Sequence, residues 1–134
     1  MLFRSLCARA LRFRLPALKQ EISLEEVLLR LALRMDLGGL EREPRAAGVM
    51  MIPIPEAGVY EETQGVEEAR ATPGVDSIEV TAKPKQKLIP LPEGASYLGF
   101  IFARAEKPEQ VERSLREAHS KLRFVVSAAI PVVR

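Results

Sequence analysis

The sequence is poor in the residues that build many kinds of site. Its 134 residues include one cysteine, one histidine and no tryptophan. A single cysteine can form neither an internal disulfide nor a CxxC metal site. We interpret Cys7 as a small buried hydrophobe, although the nearby Arg9 leaves a reactive thiol open as an alternative. His119 has no second His or Cys with which to bind zinc, and it is interpreted as a boundary residue with a structural hydrogen bond.

Charge of one sign and long apolar runs are also missing. The chain has 20 basic and 18 acidic residues, which leaves a net charge of +2. This near-balance, with two Tyr, five Phe and no Trp, argues against a nucleic-acid partner. No stretch reaches the roughly 18 to 20 apolar residues that a membrane-spanning helix needs. We therefore expect no membrane segment and a cytoplasmic location.

Residues 1–20 have a composition of their own, with five basic residues and no acid. Organelle transit peptides share this composition. The arginines scatter around a helical wheel, however, and Pro16 would end the helix, so a basic lead-in is the preferred interpretation.

A helix is predicted after this lead-in. Ser23 is placed at the N-cap and Glu26 at the third helical position, where each side chain can bond the other's backbone amide. Gly38-Gly39 is expected to end the helix. Its main apolar stripe is Leu24, Val27, Leu28, Leu31 and Met35, and Leu29 and Leu33 widen it. So broad an apolar surface predicts cover on more than one side, either by a partner or by self-association through the Ser23–Met35 helix.

The rest of the chain alternates between predicted strands and helices. Tyr97–Ala103 is apolar at every position and is expected to be a central strand covered on both faces. A helix is predicted from Pro108, with Val111, Leu115, Ala118 and Leu122 on one face. These elements predict an α+β fold with a small, mainly antiparallel sheet packed against helices. The remaining predicted elements are strands at Gly48–Ile54, Gly58–Gln64, Asp76–Ala82 and Phe124–Ala128 and a short helix at Val66–Ala71.

The residues show no evident active site. Gly38-Gly39 follows a helix, so its amides do not open a helix N-terminus for phosphate. Lys83–Lys87 is interpreted as a solvated turn, with a phosphate patch as the alternative. Pro92–Ser96 reads as a loop in which Gly94 permits an unusual backbone angle.

Three segments carry a resemblance to a known family: LIPLPEGASYLGFIFARAEKPEQVERSLREAHSKLRF (Leu88–Phe124), GVMMIPIPEAGVY (Gly48–Tyr60) and GVEEARATPGV (Gly65–Val75). Their layout resembles the C-terminal domain of ATP-grasp ligases of the L-amino acid ligase type, and is similar to the C-terminal domain of glycinamide ribonucleotide synthetase. The resemblance covers roughly residues 6–124. It implies that residues 1–20 are the remnant of a junction to a missing ATP-grasp core and that residues 21–134 are the C-terminal domain.

The resemblance also implies where the chemistry lies. In that family ATP lies between two α+β lobes, acidic residues hold magnesium, and an acyl phosphate is captured by an amine. The last signature, a Glu/Asn-Arg-Pro-Gly-Gly-like run, precedes a stretch similar to LCARALRF, which is Leu6–Phe13 here. Met1–Ser5 stand where the Arg-x-x-Gly-Gly part of that signature would be, and the glutamate ahead of it has no position in this sequence. No catalytic, cofactor-binding or metal residue is therefore carried over, and ATP and magnesium are expected only for a full-length parent enzyme. Arg9 and Arg12 are the matching residues that could face the missing catalytic lobe.

Three functions follow as expectations. The chain is a structural and substrate-cleft domain of a carboxylate–amine ligase that is not catalytic alone, or it completes such a ligase in trans with a separate catalytic chain. The third possibility is a small-ligand binding module with a pocket under Pro92–Ser96. The sequence leaves open the substrate, the oligomeric state, and whether Met1 is a genuine start or marks a truncation or frameshift.

Overall fold

The computed structural model describes residues 9–94 and 96–128. Its first part is a small sheet with one helix. Strands β1 (Arg12–Leu15) and β2 (Gln20–Ser23) form an antiparallel hairpin around a 3-10 turn at Pro16–Leu18, and β3 (Glu41–Arg42) pairs with the other edge of β1. Alternation along the hairpin turns Leu15 and Ile22 inward. They pack with Val27 into a cluster of their own, joined by Phe13, Leu37 and Leu40.

Helix α1 (Leu24–Ala32) is shorter than predicted. The Ser23 hydroxyl accepts a hydrogen bond from the Glu26 amide at 3.2 Å, which confirms the N-cap. The Glu26 carboxylate accepts from Arg30 instead of returning to Ser23. The helix ends before Arg34, which has φ of 55°, so Gly38-Gly39 does not terminate it. Only Val27 of α1 is fully buried, whereas Leu28, Leu31 and Met35 of the predicted stripe are exposed.

The second sheet has the order β4-β8-β6 and is antiparallel throughout. Its strands are β4 (Ala46–Ile52), β6 (Val75–Val80) and β8 (Gly99–Ala105). The predicted buried strand is β8, and its central position is confirmed. β4 lies at an edge and ends just before Pro53, which agrees with the restriction of proline to strand ends.

Helix α3 (Pro108–Lys121) covers one face of this sheet, and the short helix α2 (Val66–Arg70) packs beside it. Ile101 and Ala103 of β8 point toward α3 and share its core, whereas Phe100 and Phe102 point to the opposite face and pack with Ala10. Strict alternation along Tyr97–Ala103 predicts Leu98 on the same face as Phe100 and Phe102, and this prediction is wrong. Leu98 lies in the α3-side core because the strand begins at Gly99, one residue after it.

The third sheet has the order β7-β5-β9, with β5 (Gly58–Gln64) between β7 (Lys87–Leu88) and β9 (Arg123–Ser127). β9 corresponds to the last predicted strand and pairs with β5. The α+β class with mainly antiparallel sheet is confirmed, and the strands of residues 9–94 and 96–128 are divided among three small sheets. The hairpin between β1 and β2 runs across residue 20, where the lead-in and the domain were predicted to meet.

Within the described part of the chain, no helix is long and apolar enough to cross a membrane.

Candidate functional site

The face of the β4-β8-β6 sheet opposite α3 carries a buried arginine. Arg104 follows Phe100 and Phe102 at two-residue intervals, so the alternation of β8 places its side chain on the same face as theirs. The side chain is only 9% exposed. Its Nε donates to Oδ2 of Asp76 at 3.1 Å, one terminal nitrogen donates to Glu43, and the other donates to the carbonyl oxygen of Ala10 at 3.0 Å.

These four residues form what we call the Arg104 cluster: Ala10, Glu43, Asp76 and Arg104. A guanidinium group has donors in a fixed planar fork, and here each of its three nitrogens has a partner. Burying a charge is costly unless it is paired and hydrogen-bonded, and the cluster meets that condition. It joins the segment before β1 and the segment after β3 to the sheet that α3 covers.

A second ion pair lies on the same face. The two terminal nitrogens of Arg9 donate to the two carboxylate oxygens of Glu79, one of them at 3.0 Å. The guanidinium carbon lies 5.1 Å from the ring centre of Phe102, which is within cation–π distance. The hydrogen bonds from Arg9 lower the pKa of the Glu79 carboxyl below its ordinary value, and the same bonds raise the pKa of Arg9.

Arg12 lies beside these pairs and lines a cleft of about 440 Å³. One of its terminal nitrogens donates to the carbonyl oxygen of Arg9 at 3.0 Å, which directs the side chain along the cleft wall. Ser77 and Asp76 line the cleft from the sheet, and Glu25 lines it from the start of α1. The cleft therefore lies between the N-terminal sheet and the β4-β8-β6 sheet.

The side chains of this cleft are suited to binding small polar groups. It presents guanidinium donors, which suit a carboxylate or phosphate, and carboxylate acceptors, which suit an amine. Arg9 and Arg104 are already paired with acids. Among residues 9–94 and 96–128, no three His, Cys, Asp or Glu side chains are grouped so that they could hold a metal ion.

Part of this site was predictable from the sequence. Arg9 and Arg12 were predicted as candidates, and the structure brings both to the same cleft. Arg104 was missed, although a charged residue in phase with Phe100 and Phe102 was the signal that could have revealed it. The alternation of Asp76–Ala82 predicts a half-buried strand with Glu79 on the side opposite Ile78, and on that side it meets Arg9. That Arg9 and Arg12 face a catalytic lobe remains a prediction.

The other sequence-based candidates lie elsewhere. His119 is half-buried with its ring centre 6.5 Å from that of Phe124, which fits a boundary position. Residues 83–86 form a turn in which the Gln86 amide donates to the Lys83 carbonyl at 2.9 Å, and Lys87 begins β7. Gly94 is not in the left-handed region; its constraint is space, since a Cβ would lie 1.8 Å from the carbonyl oxygen of Ile89. Cys7 lies outside the described residues.

Comparisons with known proteins point to one family. The family model described as L-amino acid ligase C-terminal domain 2 matches residues 50–127, more than half of the chain. Among solved structures, the chain is similar to an L-amino acid ligase from Bacillus licheniformis, with 28% sequence identity and a TM-score of 0.57. The similarity covers 64% of this chain and 21% of that one, so this chain matches about a fifth of the length of that ligase. No curated protein matches the chain.

Proposed function

The chain belongs to the L-amino acid ligase C-terminal domain 2 family, and on that premise we propose that it is the structural and substrate-cleft domain of an ATP-grasp carboxylate–amine ligase. In this role it supports the catalytic core and closes one side of the substrate cleft. The core that binds ATP and magnesium belongs to the rest of the ligase, in the same protein or in a separate chain. The expected location is the cytoplasm.

The Arg104 cluster is the observation that carries this proposal. It joins the carbonyl of Ala10, near the start of the described chain, to the middle of the C-terminal domain through a side chain that is 9% exposed. By the family resemblance, the catalytic core would join the chain just before this point. The cluster would therefore hold the junction with the core in a fixed position against the β4-β8-β6 sheet.

The cleft beside Arg12 supports the substrate side of the proposal. Its donors and acceptors suit the carboxylate and amine groups that such a ligase would bring together. The described residues do not fit a magnesium site, and no step through ATP or magnesium is assigned to this chain. The residues of this chain would bind and orient the substrate. Arg9 is held by Glu79 and Phe102, and Arg12 is held by the Arg9 carbonyl.

Complementation in trans tests the proposal. The ligase from Bacillus licheniformis would be prepared without the segment that this chain matches, and amino-acid-dependent release of ADP would be measured with and without the chain. We expect the chain to raise the rate at least tenfold. The Arg104→Met variant should give less stimulation at equal concentration, because the junction is no longer held in place.

The control is Arg116→Ala, which removes a well-exposed arginine on the outer face of α3 and should stimulate as the wild type does. A chain that binds the truncated ligase in a pull-down and yet leaves its rate unchanged would contradict the proposed role. Loss of stimulation in both variants alike would contradict the part assigned to Arg104.

A further inference from the structure

The part of the chain from residue 12 to residue 42 has an apolar core of its own. We call this part, which contains β1, β2, α1 and β3, the N-terminal module. Its core consists of Leu15, Ile22 and Val27 with three partly buried neighbours. The two other apolar clusters of the described residues include no side chain of the module. Among the described residues, therefore, no shared apolar core fixes the module to the β4-β8-β6 sheet.

The two segments that connect the module to the rest of the chain are held at one point. The chain enters the module through residues 10–11 and leaves it through residues 43–45. One terminal nitrogen of Arg104 donates to the Ala10 carbonyl and the other donates to the Glu43 carboxylate. The Glu43 amide also donates to the Arg12 carbonyl at 3.0 Å, so the two segments lie side by side. Two adjacent connections held at one point are the arrangement of a hinge.

Beyond this hinge, the module presents a polar face to the β4-β8-β6 sheet. Arg12 and Ser23 lie opposite each other in the pairing of β1 with β2, so their side chains share one face of the module. The next pair, Phe13 and Ile22, lies on the other face and belongs to the module's core. Arg12 and Ser23 line the cleft of about 440 Å³, and Ser77 lines it from the sheet. A polar cleft therefore separates the module from the sheet at this place.

Opposite charges lie on the two sides of the cleft. Glu25, in the first turn of α1, lines it from the module, and Arg9 lines it from the segment that is bound to the sheet. The terminal nitrogens of Arg9 donate to Glu79, and the charge of Glu25 acts on Arg9 from farther away and raises its pKa. Attraction between opposite charges weakens as the distance between them grows. It therefore favours a narrow cleft.

We propose that the N-terminal module is a hinged flap that opens and closes this cleft by rotating about residues 10–11 and 43–45. Arg104 holds the hinge in place, and the attraction between Glu25 and Arg9 favours the closed position. Closure covers Arg12 and Ser77, whereas opening admits a small molecule to them. The inference concerns the movement of the module and depends neither on which molecule the cleft binds nor on the ligase proposal.

Distances between two spin labels, measured by double electron–electron resonance, test the proposal. Cys7→Ser removes the chain's one cysteine. Labels are then attached at Leu28→Cys, which is 56% exposed on α1, and at Thr81→Cys, which is exposed just after β6. At 0.1 M NaCl we expect a main short distance and a minor longer one.

Salt should shift this balance. At 1 M NaCl the longer population should at least double, because the screening length falls from about 10 Å to about 3 Å. The control pair is Thr81→Cys with Arg116→Cys on the outer face of α3, both outside the module. It should give one narrow distance at both salt concentrations. Circular dichroism of each labelled chain confirms that it is folded.

Two substitutions at Glu25 test the role of charge. Glu25→Gln removes the attraction to Arg9 and should raise the longer population about twofold at 0.1 M NaCl. Glu25→Arg replaces attraction by repulsion and should make the longer population the larger one. The matched control is Glu68→Arg, which makes the same change of charge at an exposed position of α2. It should leave the distances as they are in the wild type.

A distance between Leu28 and Thr81 that stays as narrow as the control pair at both salt concentrations and in Glu25→Arg would overturn the proposal, because the module would then be fixed. A distribution without a short-distance population would overturn the closed position. Equal effects of Glu25→Arg and Glu68→Arg would overturn the part assigned to Glu25. Complementation of a ligase is a separate measurement, so either proposal can fail while the other holds.

Discussion

Arg104 joins parts of the chain that are far apart in sequence. Its three nitrogen atoms contact Ala10, Glu43 and Asp76, which belong to three different segments. A buried ion pair adds little net stability compared with a well-packed apolar replacement, because both charges lose their hydration. Removing one partner is different, since it leaves the other charge buried and unpaired. The cluster therefore fixes a specific arrangement of segments.

Replacing Arg104 by Met should lower the free energy of unfolding by about 3 kcal/mol, at the lower end of the range for a broken buried pair. The lower end applies because the Glu43 side chain retains 18% exposure and Asp76 retains 45%. Urea denaturation followed by circular dichroism measures the change.

Two further variants locate the cause of that loss. Adding Glu43→Gln to Arg104→Met should recover part of the stability by removing the uncompensated charge. Arg116→Ala breaks a well-exposed i, i+4 pair with Glu112 and should cost less than about 1 kcal/mol. Equal losses for Arg104→Met and Arg116→Ala would show that the Arg104 cluster is not buried in solution.

Glu79 makes the stability of the folded chain depend on pH. Arg9 lowers the pKa of Glu79 in the folded chain below its ordinary value of 4.5. The ion pair therefore makes its full contribution to the free energy of unfolding above about pH 4.5. The contribution is lost as the pH falls through the lower folded-state pKa. Both side chains are more than a third exposed, so solvent screening limits the effect to under about 1 kcal/mol.

The measurement is a comparison of wild type with Glu79→Gln in urea at pH 7 and at pH 3. We expect wild type to be the more stable at pH 7 and the difference to shrink at pH 3. Glu68→Gln, at an exposed position of α2, serves as the control and should show no such convergence. A difference that stays constant with pH would mean that Arg9 and Glu79 are not paired in solution.

The close contact between α3 and β4 sets the thickness of the main core. Gly48 faces the helix, and a Cβ added there would lie 2.8 Å from a Val111 methyl group and 3.4 Å from a Leu115 methyl group. Gly48→Ala should therefore destabilise the chain by about 1–3 kcal/mol through overpacking.

A double-mutant cycle with Val111→Ala checks this contact. The double variant should be less destabilised than the sum of the two single variants, because the truncated side chain makes room for the new methyl group. Thermal or urea unfolding provides the four free energies. Additive losses would show that α3 does not pack on Gly48 as described.

Regular patterns of apolar residues made several elements predictable. β5 was predicted at Gly58–Gln64 and α3 from Pro108, and both occur there. α3 is recognisable because an apolar stripe with helical spacing and an N-terminal proline agree. The hairpin of β1 and β2 was not predicted, because each strand has only four residues and the alternation of apolar and polar side chains is too short to recognise. Its turn depends on Lys19 in the left-handed region, a conformation that cannot be predicted from a lysine.

The described part of the chain contains three small sheets of three strands each. The fold class and family were accessible from the sequence because long apolar segments and their connecting turns keep a recognisable order. The contacts between sheets were not, since the partners of Arg104 lie 28, 61 and 94 residues away. The spacing of residues along the sequence does not indicate which residues so far apart lie in contact.

The central claim is that this chain is a ligase domain whose ATP- and magnesium-binding residues belong elsewhere, and calorimetric titration of the isolated chain with magnesium-ATP tests it most directly. Phosphoryl transfer depends on placed charge and metal, and the described residues form no candidate metal site. We predict no measurable binding up to millimolar nucleotide. Binding in the low micromolar range that disappears when magnesium is removed would contradict the account.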